Sequence, residues 1–415
     1  MSASERTLNA LQALLKSTDK QQGFSALFEE ICVCPLAVDA ETNIANDLVA
    51  IINAIFDQNL GIVATRSLLV VLADKLKSMQ ANLVTIMVGE HLLNILSGQI
   101  SSFEEQNAQI RELMASAFEG RDDHLAAAKV LAGIPLESSQ RKVTNDDKVK
   151  IWIRITRNYL EVNDTTLAEQ SLNKAKNLIY TVSDRDTNLH FNLCQARIYD
   201  AQRNFLAAAQ GYHDISFMPI IAEEERVLTL SMAIKCAVLA PAGPARSRAL
   251  GRLYKDERAA TLEEFGILEK MFLDRLLGPD EVAKFAKGLA IHQLAKTADG
   301  SNVLARAVVE HNLRGVSYLY QNISFSSLGK ILGLDDDKAE ETTARMIEQK
   351  RLVGRIDQIE RVIWFRCGDC IGETGNNQQI KQWDANIHDL AEEVEKVTSE
   401  LQLLYPEFVA RHMTI

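Results

Sequence analysis

The amino-acid sequence predicts an all-α protein with a small β-hairpin. The expected order is a right-handed solenoid of helical repeats, a compact unit that contains the hairpin, and one long C-terminal helix. Three observations predict this class. Only 20 of the 415 residues are Gly and 7 are Pro, about half the usual share, so residues that interrupt helices are few. A loose repeat runs through the middle of the chain, and an unbroken heptad pattern occupies its end.

Composition excludes several classes of protein. The net charge of −11 opposes general binding to nucleic acid. No apolar stretch is long enough to span a bilayer, and the N-terminus carries charges where a secretory signal has an apolar block. The six cysteines are scattered, as is typical of reduced thiols. We therefore expect an intracellular protein of the cytoplasm and nucleus.

Residues 1–300 are predicted to form the solenoid, with an N-terminal arm of amphipathic helices over about 1–115 and repeats over about 116–300. In each repeat an aromatic residue is followed by a polar turn and a helix that starts with Leu-Ala. The three Leu residues are 42 and 39 residues apart, which is the size of a two-helix unit. The copies are Phe118 with Leu125-Ala126-Ala127, Tyr159 with Leu167-Ala168-Glu169, and Tyr199 with Leu206-Ala207-Ala208.

Residues 301–366 have the order of a winged helix. An extended piece at 323–325 precedes a short helix capped by Ser326 and Ser327, and Gly333 supplies its left-handed end. Asp335, Asp336 and Asp337 then occupy the start of a second helix, where the helix dipole favours negative charge. Two β-rich runs, 352–356 and 361–365, are joined through Asp357-Gln358 and complete the unit.

The C-terminal segment is predicted to be a linker, 367–379, followed by a helix over 380–415. The apolar residues of this helix alternate at spacings of three and four, which defines a heptad seam that requires a partner surface. The same seam is compatible with a core helix that folds back on its own domain. The seam residues are Ile380, Trp383, Ile387, Leu390, Val394, Val397, Leu401 and Leu404.

The sequence offers no catalytic, cofactor-binding or metal-binding residues. No histidine pair has the spacing of a zinc hydrolase, and neither a Walker A loop nor a dinucleotide fingerprint occurs. Cys367 and Cys370 form a C-x-x-C pair, but no second pair accompanies them, so we expect two free thiols. We expect no cofactor and no enzymatic activity.

Charge argues against nucleic-acid binding by the winged helix. The stretch 323–366 holds eight basic and eight acidic residues, and the helix that would read DNA opens with three aspartates. A winged helix that binds protein is the favoured interpretation.

This stretch resembles the winged-helix half of a PCI domain, a module of the proteasome lid, the COP-nine signalosome and a translation-initiation scaffold. The motifs LYQNISFSSLGKILGL, KAEETTARMI and GRIDQIERVIWF carry the resemblance, which is closest to signalosome subunits. It implies a non-catalytic scaffold within a hetero-oligomeric metallo-isopeptidase complex that deneddylates cullins and so regulates cullin-RING ubiquitin ligases.

The resemblance also implies how the chain binds its partners. The C-terminal seam would join a bundle of helices from other signalosome subunits, and the N-terminal arm would sense a bound cullin-RING ligase. Winged helices of the family associate side by side, for which an exposed strand edge is suited. We expect that edge at Arg361, Val362, Ile363, Trp364 and Phe365.

Two alternatives stay open at this stage. The chain has equally the features of a PCI scaffold subunit of the proteasome lid or of a translation-initiation complex. A PCI nucleic-acid adaptor is the second alternative, and it predicts salt-sensitive binding to a duplex.

Overall fold

The computed structural model describes residues 4–15, 20–32, 40–58, 61–79, 81–137, 143–295, 302–365 and 374–406. Contacts divide the chain into two compact units. The first comprises 1–240, 252–264 and 290–293, and the second comprises 241–251, 265–289 and 294–415. This division differs from the predicted domain limit at residue 300, because segments assigned to the repeats belong with the winged helix.

Many consecutive helices of the first unit pack against each other. The helices are α1 (Glu5–Leu15), α2 (Lys20–Cys32), α3 (Ala40–Asp57), α4 (Ile62–Met79), α5 (Asn82–Leu96), α6 (Glu104–Glu119), α7 (His124–Ala132), α8 (Asn145–Glu161), α9 (Thr165–Lys176), α10 (Arg185–Ala201), α11 (Phe205–Ser216) and α12 (Glu223–Leu239).

The second unit holds the remaining helices and all three strands of the described residues. Helix α13 begins in this unit and ends in the first. The elements are α13 (Pro244–Tyr254), α14 (Phe265–Phe272), α15 (Pro279–Lys287), α16 (Val303–Leu319), β1 (Asn322–Ser324), α17 (Phe325–Leu332), α18 (Asp336–Glu348), β2 (Gly354–Asp357), β3 (Val362–Phe365) and α19 (Thr374–Leu404).

The predicted repeat is confirmed by the turns of three helix pairs, α6–α7, α8–α9 and α10–α11. In each turn the carbonyl of the aromatic residue accepts a hydrogen bond from the N–H five residues later, at 2.8–3.0 Å. The residue before that N–H has a left-handed backbone in all three turns, with φ of 60–63°. These left-handed residues are Asp122, Asn163 and Arg203.

The turns show that alanine, and not leucine, marks the equivalent buried position of the repeat. Ala127, Ala168 and Ala208 each lie nine residues after the aromatic residue and are fully buried. Leu125 and Leu167, by contrast, are more than a third exposed. A methyl group at the equivalent position lets neighbouring helices approach closely, so the repeat is defined by close packing.

We expect Ala168→Leu to lower the free energy of unfolding by about 1–3 kcal/mol, because extra methylene groups have no space at this contact. Urea unfolding followed by far-UV circular dichroism measures the change. Gln170→Leu adds the same residue type at an exposed position of α9 and should stay within about 0.5 kcal/mol of the parent. Equal effects of the two substitutions would contradict close packing at Ala168.

A buried carboxylate ties the helical part of the second unit to its winged helix. Glu310, in α16, is buried. Its Oε1 accepts from Arg306 Nε at 3.0 Å, and its Oε2 accepts from Arg351 Nη1 at 3.0 Å and from the Ala242 N–H at 3.2 Å. The guanidinium of Arg246, also buried, adds positive charge nearby, although burial lowers its pKa to about 10. Glu310 thus joins α16, the segment before α13 and the segment before β2.

The neighbouring residue, His311, is held neutral. Its Nε2 donates to the Arg275 carbonyl at 2.8 Å. Burial lowers the pKa of His311 to about 4, and the charges of Arg246 and Arg314 act in the same direction against the opposing hydrogen bond. Its uncharged ring is therefore the form that the folded unit accepts.

Candidate assembly surfaces

The first helix of the winged helix starts at least two residues earlier than its predicted capping residues require. Ser324, and not Ser326 or Ser327, is the N-cap of α17, and its Oγ accepts from the Ser327 N–H at 3.4 Å. Gly333 ends the helix with φ of +67°, as predicted. The apolar side of α17 contributes Phe325 and Leu328 to the core of the second unit.

The second helix, α18, follows the predicted charge arrangement. Asp335 is its N-cap, and Asp336 and Asp337 lie in its first turn. Its buried residues are Ala339, Thr343 and Met346, and Ala339 and Met346 belong to the same core. Lys338 lies 3.9 Å from Asp335 and Arg345 lies 2.8 Å from Glu341, so the cations of this helix are paired with its own carboxylates.

The prediction of an exposed edge at residues 361–365 is wrong. The sheet has the order β1-β3-β2, and both of its pairings are antiparallel, so β3 is the central strand. Arg361 lies in the turn before β3 with φ of 55°. Ile363 and Phe365 are buried in the core, and Val362 and Trp364 are half-buried. Both sides of β3 are occupied because the extended piece at 322–324 pairs with it.

The register identifies the strand edges that stay open in the described part of the chain. The Phe365 N–H donates to Gln321, and the Phe325 N–H donates to Arg361. Antiparallel alternation then directs the backbone groups of Asn322 and Ser324 away from β3. On β2 the same alternation directs those of Gly354 and Ile356 outward. The candidate edges are therefore β1 and β2.

Close packing fixes the start of β2. A Cβ on Gly354 would lie 2.7 Å from the Trp364 carbonyl oxygen, a distance that only glycine avoids. The next residue, Arg355, places its guanidinium 5.3 Å from the centre of the Trp364 ring, a cation–π distance. At the tip of the hairpin Ile359 is 96% exposed. The predictions from sequence did not include this exposed apolar residue. The turn sequence DQIE could have indicated it, because Ile359 lies there between polar residues.

The C-terminal helix displays the predicted heptad seam on its surface. Helix α19 begins at Thr374, so its first residues occupy part of the predicted linker. Trp383, Ile387, Leu390, Val394, Val397, Leu401 and Leu404 are between 38% and 70% exposed. Ile380 lies within the helix, but its side chain lies outside the described residues, as do residues 407–415 of the predicted helix. The described part of the chain does not cover this seam.

The remaining predictions concern cysteines, metal binding and membrane spans. Cys367 and Cys370 lie outside the described residues. Across the residues that the structure describes, no group of His, Cys, Asp and Glu is arranged to hold a metal ion. Among the same residues we find no helix with the length and apolar character needed to cross a membrane. Cys194 and Cys236 are buried, and burial raises the pKa of both thiols, as is typical of inert cysteines.

Comparisons with known proteins match both halves of this architecture. The family profile described as PSMD12/CSN4, N-terminal, matches residues 6–224, and that of the PCI domain matches residues 287–366. Helical repeats followed by a winged helix and a matching PCI profile define a PCI-domain scaffold protein, which is a non-catalytic type of subunit.

Relatives then specify the family. "COP9 signalosome complex subunit 4" of Neurospora crassa is 49% identical over 436 residues, which cover 99% of this chain and 98% of the relative. The protein of the same name from Emericella nidulans is 46% identical over 96% of this chain and 98% of the relative, and that of Dictyostelium discoideum 35% over 98% of each. The chain belongs to the COP9 signalosome subunit 4 family.

Proposed function

We propose that this chain is a scaffold subunit of the COP9 signalosome and acts there in the deneddylation of cullins by a metallo-isopeptidase subunit. Through that reaction it would regulate cullin-RING ubiquitin ligases, in the cytoplasm and the nucleus. Membership in the subunit 4 family supports the proposal that this chain assembles into the signalosome. The observation that carries the scaffold role is the uncovered seam of α19.

The seam is suited to a helical bundle by its chemistry. Its seven described apolar side chains recur on one face of a helix of 31 residues, and burying each would contribute about 1.5–3 kcal/mol. The opposite positions are charged, and Lys396 pairs with Glu392 at 3.2 Å. One apolar face and one charged face are what a helix at the surface of a bundle requires.

The winged helix supplies a second surface. An open edge of β1 or β2 offers unpaired backbone groups to a strand of a neighbouring PCI subunit. The N-terminal arm, α1 to α5, is proposed to sense the bound cullin-RING ligase, as the family resemblance implies. The role proposed for the arm is recognition of the ligase, so it does not require a catalytic residue in the arm.

Affinity purification of the tagged full chain from cells tests the proposal. We compare it with a truncation after Phe365 and with the double substitution Leu390→Glu and Val394→Glu. The full chain should recover the other signalosome subunits together with activity on neddylated cullin. The truncation and the double variant should recover less than about a tenth of them, since two carboxylates in an apolar seam lose solvation without a partner.

A matched variant separates the seam from net charge. His388→Glu with Ser399→Glu adds the same two carboxylates at exposed positions outside the seam and should recover the complex fully. If the seam variant recovers as much of the complex as the full chain does, the seam of α19 has no role in assembly. Failure of the full chain to recover any deneddylase would overturn the proposed function itself.

A further inference from the structure

A groove lined by several charged side chains lies along α8 in the first unit, well away in sequence from the winged helix and from α19. The cavity has a volume of about 260 Å³ and is bounded by α8, the end of α6, the start of α7 and the first two turns of α10. A single water molecule occupies about 30 Å³ of liquid, so the cavity has room for a side chain. We call it the α8 groove; its charged and titratable lining residues are Glu119, His124, Lys150, Arg154, Arg157, Glu161 and His190.

Three cations of the α8 groove come from one face of one helix. Lys150, Arg154 and Arg157 follow each other at intervals of four and three residues, which places them on the same side of α8. The positive charge of this stripe is opposite in sign to the net charge of the whole chain, which is −11.

The carboxylates near the α8 groove already have partners. Glu119 accepts from Arg154 through both oxygens, at 2.9 and 2.8 Å, and from the Asn158 amide at 2.7 Å. Burial would raise the pKa of Glu119, but these hydrogen bonds and the charges of Arg154 and Arg157 outweigh it and lower that pKa. Glu161 pairs with Arg197 at 2.9 Å. Neither carboxylate is left over to neutralise Arg157.

Arg157 is the cation of the stripe that stays available. Its side chain lines the groove and is exposed, and it makes no hydrogen bond or ion pair with any residue that the structure describes. A guanidinium presents a planar fork of donors that fits a carboxylate or a phosphate group with two hydrogen bonds.

The walls beside Arg157 are held in place before any ligand arrives. Arg154 also donates to Ser116 Oγ at 2.8 Å, so two partners fix its guanidinium. The Nδ1 atom of His124 lies 3.1 Å from Asn158 Oδ1, and Asn158 in turn holds Glu119. A pre-organised wall with one unpaired arginine lowers the entropic cost of ordering a bound anion.

We propose that the α8 groove binds an acidic peptide segment of a partner protein, with Arg157 as the anchor for its anionic side chain. The imidazole of His190 lines the same cavity. Lys150 lines it as well and pairs with Asp184 at 3.3 Å. Charge complementarity carries this choice of ligand, because Arg157 lines the groove without a hydrogen-bonded counter-charge, while both carboxylates of the groove are paired with other arginines. The inference goes beyond the scaffold role and does not depend on assembly into a complex.

Fluorescence anisotropy of the purified full chain with a labelled peptide tests the inference. The probes are a nine-residue peptide rich in Glu, the same peptide with a central phosphoserine, and a neutral version with Gln in place of Glu. At low salt the parent should bind at least one anionic probe at least tenfold more tightly than the Gln peptide. Arg157→Glu should weaken that binding tenfold or more, and the tighter of the two anionic probes identifies the preferred anion.

Lys174→Glu is the matched control, since Lys174 is exposed on α9 and does not line the groove. It makes the same change in charge and should leave the affinity within about twofold of the parent. Equal weakening by both variants would show a diffuse charge effect and overturn the inference. So would the absence of binding by the parent, or equal binding of the Gln peptide. Circular dichroism of each variant confirms that the fold is intact.

Discussion

Replacing Glu310 by alanine is expected to lower the free energy of unfolding of the second unit by about 3–5 kcal/mol. The carboxylate accepts hydrogen bonds from two arginines and one backbone N–H. Its removal takes away the larger of the two favourable charges that act on the buried Arg246, which has like charges nearby. Removing one member of a buried charge cluster costs more than the loss of one surface ion pair.

Urea unfolding of the full chain, followed by tryptophan fluorescence and by near-UV circular dichroism, measures this loss, because Trp364 lies in the sheet of the same unit. Glu348→Ala serves as the control. Glu348 lies exposed near the end of α18 and should change stability by no more than about 0.5 kcal/mol. Glu310→Gln should be almost as damaging as the alanine variant, since it keeps the shape but removes the charge. A loss under about 1 kcal/mol for Glu310→Gln would contradict the role of Glu310 as the counter-charge.

Acidification is expected to destabilise the second unit through His311. The pKa of His311 is about 4 in the folded unit and about 6.5 in an unfolded chain. Between these two values the unfolded state binds the proton and the folded state does not, so stability falls as the pH falls from about 6.5 to about 4. The shift corresponds to about 3 kcal/mol when complete.

His311→Gln isolates this contribution. A Gln amide can donate to the Arg275 carbonyl as the imidazole Nε2 does, but it does not titrate. Between pH 7.5 and pH 4.5 the unfolding free energy of the parent should fall by about 2 kcal/mol more than that of the variant. Urea titration at each pH measures both values. A difference that stays constant over this range would contradict the low pKa of His311.

Local signals in the sequence were sufficient for much of the winged helix. Gly333 and the three aspartates act within one turn of the backbone, so their positions follow from helix capping and the helix dipole alone. The aromatic residue and polar turn of each repeat are local in the same sense. Their left-handed residues differ in type, which is why the turn itself was not predicted in detail.

Features that depend on distant residues could not be predicted in the same way. The strand order follows from the pairing of Asn322–Ser324 with residues 362–364, and nothing within either segment specifies that partner. Glutamate is usually a surface residue, and the burial of Glu310 depends on the distant residues Ala242, Arg246 and Arg351 in addition to its helix neighbour Arg306. The α8 groove is similar, because Arg157 differs from Arg154 only in lacking a carboxylate from another helix.

The central position of β3 has a consequence for synthesis of the chain. Among the described residues β1 pairs only with β3, whose residues come about forty positions later. The backbone groups of Ile323 that face β3 therefore have no strand partner until the ribosome has released residue 365. During that interval the neighbouring apolar side chains of Leu319 and Tyr320, which are partly exposed even in the finished fold, lie beside an incomplete sheet. Non-local strand pairing is slow and leaves such surface open to aggregation. Strand β3 is thus the segment whose synthesis completes the sheet of the winged helix.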